Sequence, residues 1–207
     1  MLQTRHAPAA ALRLAPEVAL ARARAHEVAG PARVAFALVA AARLVGPVLW
    51  LQPSWIPGRL MGDGLAGILE PGRLVLARAR TAPGLLWAAE EALRTGLVPL
   101  VVAELPEPPA LTPVRRLNLA AEAGAVAHAA PLALLLTPGD GGAPGVETRW
   151  RLAPAPGWAR DGAPRWRLTR LRARMAPERT WEAMLRGGRL SLGPVPFSPM
   201  AQDDATP

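Results

Sequence analysis

One pattern occurs twice in this chain: a short apolar run, a helical segment closed by glycine, and a second apolar run. Few folds accommodate it. In RLVLARARTAPGLLWAAEEALRTGLVPLVVAEL, from Arg73 to Glu104, the runs are Arg73–Ala77 and Leu97–Ala103, and the spacing predicts a helix from Pro83 to Thr95. Both runs are nearly all apolar instead of alternating, as expected of parallel strands covered by helices on both faces. The helix should bury Leu86, Ala89 and Leu93, show Glu90, Glu91 and Arg94 to water, and stop at Gly96. Glu104 then falls at the carboxyl end of the second strand. That end faces the crevice where open α/β sheets bind ligands, which makes Glu104 the first candidate for chemistry.

The other copy, AHEVAGPARVAFALVAAARLVGPVLWLQ, covers Ala25 to Gln52. It predicts a strand at His26–Ala29, a turn at Gly30 and Pro31, a helix from Arg33 to Leu44 and a strand at Val48–Gln52. Nucleotide-binding folds cradle phosphate on the backbone amides of such a glycine turn, between a first strand and a first helix. A working loop is longer and ends in glycine, lysine and a hydroxyl residue; the lysine reaches the β- and γ-phosphates and the hydroxyl holds magnesium. Here only G-P-A-R-V-A remains, with Arg33 as the nearby cation and no hydroxyl after it. Gly30, Pro31 and Arg33, with Glu104, read as the positions of a degenerate nucleotide site, and ATP hydrolysis is not expected.

Composition removes further chemistries. Every one of the 24 basic residues is an arginine, so nothing can proceed through a lysine ammonium. No cysteine occurs, which removes disulfides, thiolate metal sites and thiol nucleophiles together. His6, His26 and His128 stand alone, without a second histidine or a carboxylate at ligand spacing, and no metal or other cofactor is expected. The longest apolar run, Val34 to Ala42, is too short to span a bilayer, and no secretory leader is recognisable. A cytoplasmic protein is expected, with no membrane partner. The net charge is +8, and between Arg149 and Arg189 eleven arginines oppose only Asp161, Glu178 and Glu182, so this window alone accounts for it.

The remaining segments divide the chain into four parts. Residues 1–24 read as a basic arm with helical spacing of Leu12, Leu14, Val18 and Leu20, interrupted by Pro16. Residues 25–138 form the α/β core: after the first unit comes a Gly/Pro-rich connector with a helical patch at Leu60–Leu69, then the central unit and a stiff PEPPA linker. A helix capped by Thr112, with Pro113 at its first position, runs from Val114 to Ala123 and ends at Gly124, and Leu132–Leu136 is a buried strand. Past the GDGGAPG loop, residues 139–192 alternate as antiparallel β at Thr148–Leu152, Arg165–Leu168 and Arg189–Leu192. Trp150, Leu152, Trp166 and Leu168 take one face, and Arg149, Arg151, Arg165 and Arg167 the other. The phase slips near Thr169, where a bulge or strand end is expected. Residues 193–207 form a Pro-rich tail containing Phe197.

HEVAG at His26–Gly30, GPVLWLQ at Gly46–Gln52, the whole Arg73–Glu104 unit, LTPVRRLNLAAEAG at Leu111–Gly124, and the TRWRLAPAP and PRWRL strands together resemble the ImuA-type proteins. These are RecA-like mutagenesis factors that also resemble the SulA cell-division inhibitors. The resemblance covers about Ala25 to Leu192. It implies an α/β, RecA-like, mostly parallel sheet flanked by helices, with a C-terminal antiparallel β extension. It further implies a noncatalytic accessory protein of the SOS response, acting in DNA-damage-induced error-prone translesion synthesis beside a polymerase-like Y-family protein and an error-prone DNA polymerase. Arg149, Arg151, Arg165, Arg167, Arg170 and Arg172 are candidates for single-stranded DNA, with tryptophan available to stack on bases, against the plainer reading of core tryptophans and a solvated arginine face. Trp87 and Phe197 are candidates for partner binding, a second copy of the chain being among the partners considered. A nucleoid-associated location would accompany DNA contact. The alternative is a SulA-like protein that blocks division by capping the tubulin-like division protein.

Overall fold

The computed structural model describes residues 11–58, 60–158, 164–174 and 176–194. The first elements form a hairpin, β1 (Leu12–Ala15) and β2 (Val18–Leu20), paired antiparallel across Pro16 and Glu17. This corrects the helical reading of the arm. Leu12 and Leu14, then Val18 and Leu20, are two residues apart, which is the strand period, and all four are buried.

β3 (Arg24–Ala29) leads through Gly30 into α1 (Arg33–Ala42), and β4 (Val48–Pro53) follows. The expected helical patch shrinks to one turn, α2 (Gly62–Leu65), with a 3-10 turn at Pro71–Arg73. β5 (Leu74–Ala79), α3 (Ala82–Thr95) and β6 (Leu100–Glu104) make the central unit. α3 is bounded as its sequence implies: the Thr81 side chain accepts from the Gly84 N–H, and Gly96 closes the helix with φ 67°. Its buried face is rotated from expectation. Leu85, Ala89, Glu90 and Leu93 are buried while Leu86 is half-buried, and Glu90 is drawn inward by Arg94 and Arg116, at 2.6 and 2.7 Å.

α4 (Leu111–Ala127) begins before Thr112, caps on Ala110 without a side-chain bond, and runs through Gly124. β7 (Leu132–Leu136) is buried along its whole length. Then come β8 (Thr148–Trp158), β9 (Pro164–Ala173), β10 (Arg179–Arg186) and β11 (Arg189–Gly193). β10 has no counterpart among the expected strands, although Trp181, Ala183 and Leu185 alternate and Gly187-Gly188, both at positive φ, make the two-residue turn that joins it to β11.

The result is an α/β fold around one nine-stranded sheet, in the order β11-β10-β9-β8-β3-β7-β6-β4-β5. The six strands from β8 to β5 are parallel; β9 to β11 extend the sheet antiparallel. One face packs on α1 and the β1–β2 hairpin, through Phe36, Trp50, Trp150 and Trp181; the other packs on α3 and α4. The expectation of helices on both faces fails only for β5. As the edge strand it leaves Val75 and Leu76 about half exposed. The expected bulge lies at Leu171, skipped where Arg149 pairs with Arg172 and Trp150 with Arg170. No helix among the described residues is long and apolar enough to cross a membrane.

Candidate functional site

The turn between β3 and α1 is closed by protein atoms. Gly30 N–H donates to the Gly139 carbonyl at 3.0 Å and Ala32 N–H to the Leu152 carbonyl at 3.1 Å, while the Arg33 N–H and guanidinium both bond the Gly30 carbonyl. Gly30 holds φ 87°, and a Cβ there would stand 2.5 Å from the Leu152 oxygen. Strand β8 therefore fills the concavity that a phosphate would need. Pro31 is exposed on the outside of the turn.

Glu104 closes β6, as expected, but is not a free strand-end acid. Its Oε1 accepts from Trp50 Nε1 at 2.6 Å and Gln52 Nε2 at 2.7 Å, both on β4. Glu104 is thus turned toward β4, and because β7 stands between β6 and β3, the Gly30 turn belongs to a strand two places away. No group of three or more His, Asp or Glu side chains that could hold a metal occurs among the described residues.

The acid the sequence did not single out is Glu27, on β3 and fully buried. Its Oε1 accepts from Thr137 Oγ1 (2.8 Å) and Gly142 N–H (2.9 Å); its Oε2 accepts from Ala143 N–H (3.0 Å) and Arg149 Nε (2.5 Å). Arg149 also donates to the Ala143 carbonyl at 2.9 Å. A Cβ on Gly141 would lie 2.6 Å from Glu27 Oε1, so the GDGGAPG loop approaches as closely as it does because glycine stands there. The loop wraps an anion with its amides, and that anion is the protein's own carboxylate. A signal existed: a carboxylate in a central parallel strand, covered on both faces, needs a partner.

The six arginines proposed for DNA do not share one environment. Arg149 belongs to the Glu27 lock, a correction to its place on an open arginine face. Arg151 pairs with the exposed Asp140 at 2.6 Å. Arg165 grips Glu182 through both Nε and Nη2, which raises the arginine's own pKa and holds the Glu182 carboxyl below the usual carboxylate range. Arg170 lies on the tryptophan face, its guanidinium 5.9 Å from the Trp150 ring centroid and 5.3 Å from that of Trp181. Arg167 and Arg172 are exposed on the polar face. Trp150 is buried, which agrees with the plainer reading of a core tryptophan over one free to stack on bases. Trp87 is 62% exposed on α3; Phe197 lies outside the described residues.

No protein-family model matches the chain, and no curated protein matches it.

Proposed function

We propose that this chain is a noncatalytic, RecA-like accessory protein of damage-induced, error-prone translesion DNA synthesis, assembling at the nucleoid with a polymerase-like Y-family protein and an error-prone polymerase. One observation carries the noncatalytic part: the amides of Gly30 and Ala32, at the place where a nucleotide-binding fold receives phosphate, are bonded to the carbonyls of Gly139 and Leu152. The polar face of the C-terminal strands supports a DNA contact made by arginine on phosphate alone, since Trp150 and Trp181 lie buried on the reverse face. The test is to delete the gene and measure mutation frequency after ultraviolet exposure. Mutability should fall and return when the gene is restored; mutability equal to that of the parent strain removes the proposal.

The SulA-like reading gains from the arginines as well, because Arg149, Arg151 and Arg165 on the polar face and Arg170 on the tryptophan face are all engaged within the protein. A chain that binds no DNA at low salt yet halts division when overproduced would favour it.

A further inference from the structure

The two edges of the sheet are finished differently. β11 turns Leu190 and Leu192 toward the core and shows Arg189 and Ser191 to water. β5 contains no proline and no bulge, pairing with β4 in unbroken register from Leu74 to Ala79. Its exposed apolar residues lie on opposite faces of the sheet. Val75 shares the α3 side with Ala77 and Ala79, and Leu76 shares the α1 side with Leu74. A regular apolar edge of this kind is one that proteins otherwise blunt with charge, proline or a bulge, or cover.

The backbone specifies what can cover it. Ser54 N–H donates to the Ala79 carbonyl, so Ala79, and with it Ala77 and Val75, aims its N–H and C=O at β4. Leu76 and Arg78 therefore aim theirs outward, as Leu74 does its carbonyl, while the Leu74 N–H is taken by the Pro71 carbonyl. Among the described residues no backbone group bonds this outward row. Another extended strand is what satisfies it.

β5 of a second copy, laid antiparallel about Leu76, matches the row. Each Leu76 N–H meets the Leu76 carbonyl of the other copy, and each Arg78 N–H the other copy's Leu74 carbonyl. Leu76 then packs on Leu76 on one face and Val75 on Ala77 on the other. The flanking residues fit the same register. The segment after β4 begins beside Ala79, through the Ser54 bond, and returns beside Pro71, whose Cβ lies 4.0 Å from where a Cβ on Gly62 would stand. It leaves Trp55 exposed at the C-terminal end of β5 and Met61 exposed at the N-terminal end, so antiparallel pairing brings Trp55 of each copy toward Met61 of the other. Glu70 and Arg80, exposed before and after the strand, form no ion pair among the described residues. Antiparallel pairing carries each Arg80 toward the turn that Glu70 opens, where the Arg73 guanidinium is engaged by the carbonyls of Ala41, Leu44 and Gly46. Parallel pairing would set like charge beside like.

We propose that two copies of this chain join through antiparallel pairing of their β5 strands about Leu76, making one continuous sheet with the C-terminal strands at its two far ends. The contact is two-fold, so it consumes both β5 edges and closes at a dimer.

The test uses the full chain, which has no cysteine, so that Leu76→Cys introduces its sole thiol. In a hydrogen-bonded antiparallel pair the facing Cα atoms stand about 5.5 Å apart, within disulfide reach. Leu76→Cys should oxidise in air to a covalent dimer under conditions that leave Val126→Cys, exposed on α4, without a cross-link. In sedimentation, wild type should form dimers and nothing larger up to ~100 µM. Leu76→Asp sets two carboxylates face to face and, with the wild-type circular dichroism spectrum retained, should need a roughly tenfold or higher concentration to dimerise. The proposal is overturned if wild type stays monomeric over that range, as it would were β5 covered by a different protein, or if it grows beyond the dimer. Equal cross-linking of the two cysteine variants, or a folded Leu76→Asp that dimerises like wild type, would overturn it too.

Discussion

His26 sits in a buried chain of hydrogen bonds that admits only its neutral form. Its Nε2 faces the Ala21 carbonyl at 2.9 Å, an acceptor, so Nε2 carries the proton. Nδ1 then accepts from the Thr148 hydroxyl at 2.7 Å, and Thr148 Oγ1 accepts in turn from Trp150 Nε1 at 2.7 Å. Protonating Nδ1 would leave the Thr148 hydroxyl without its acceptor in a dry interior. Burial is the main cause that brings the His26 pKa down to about 4; the bond to the Ala21 carbonyl opposes the shift and nearby Arg24 adds to it. Unfolded chain binds this proton first as pH falls, so the contribution to stability is complete above about pH 6.5 and declines toward pH 4, by roughly 3 kcal/mol in all. Denaturant melts of wild type and His26→Gln between pH 7.5 and 4.5 check this: the wild-type decline should exceed that of the variant, and parallel curves would refute it. Glu27 obeys the opposite logic. It is buried as a charge, tolerable because Thr137, two amides and Arg149 occupy its oxygens together.

Between elements, the α3–α4 contact depends on two glycines 28 positions apart in the chain, Gly96 and Gly124. From sequence both look like helix stops; in the structure Gly96 is one and Gly124 is a packing surface within α4. Replacing Gly124 with alanine improves intrinsic helix propensity by about 1 kcal/mol. The new methyl would meet the Leu93 carbonyl, part of a rigid helix that cannot step aside. Overpacking of this kind costs about 1–3 kcal/mol, so Gly124→Ala should lower the melting temperature despite the propensity gain. A thermal melt decides between the two effects, and a raised melting temperature would show that the helices separate freely. The N-terminal hairpin carries a different lesson. Leu12, Leu14, Val18 and Leu20 fit both periods loosely, and Pro16 makes sense as part of the turn between two short strands, each of which buries its alternating residues under the sheet.

For the molecule as a whole, the arginine excess is less available than the net charge of +8 suggests, because much of the C-terminal set serves the fold. Arg149 should not be changed to probe DNA contact, since its loss would strand Glu27. Arg167 and Arg172 are the proper probes. If the polar face meets phosphate, Arg167→Ser with Arg172→Ser should weaken single-stranded DNA binding and reduce the slope of log affinity against log salt by roughly 1.4, the share of two phosphates no longer neutralised. An unchanged slope would place any binding elsewhere. Local sequence suffices for the repeated strand–helix–strand units, the glycine closing α3 and the alternation of β8 and β9, because each is written in residues a few positions apart that answer to one local geometry. It took the assembled sheet to bring Glu27 to Arg149, 122 residues later, to lay β8 across the Gly30 turn, and to turn Glu104 toward β4. Those contacts depend on which strands become neighbours, and strand order is fixed by how the whole sheet buries its two faces, a property no local stretch of the chain contains.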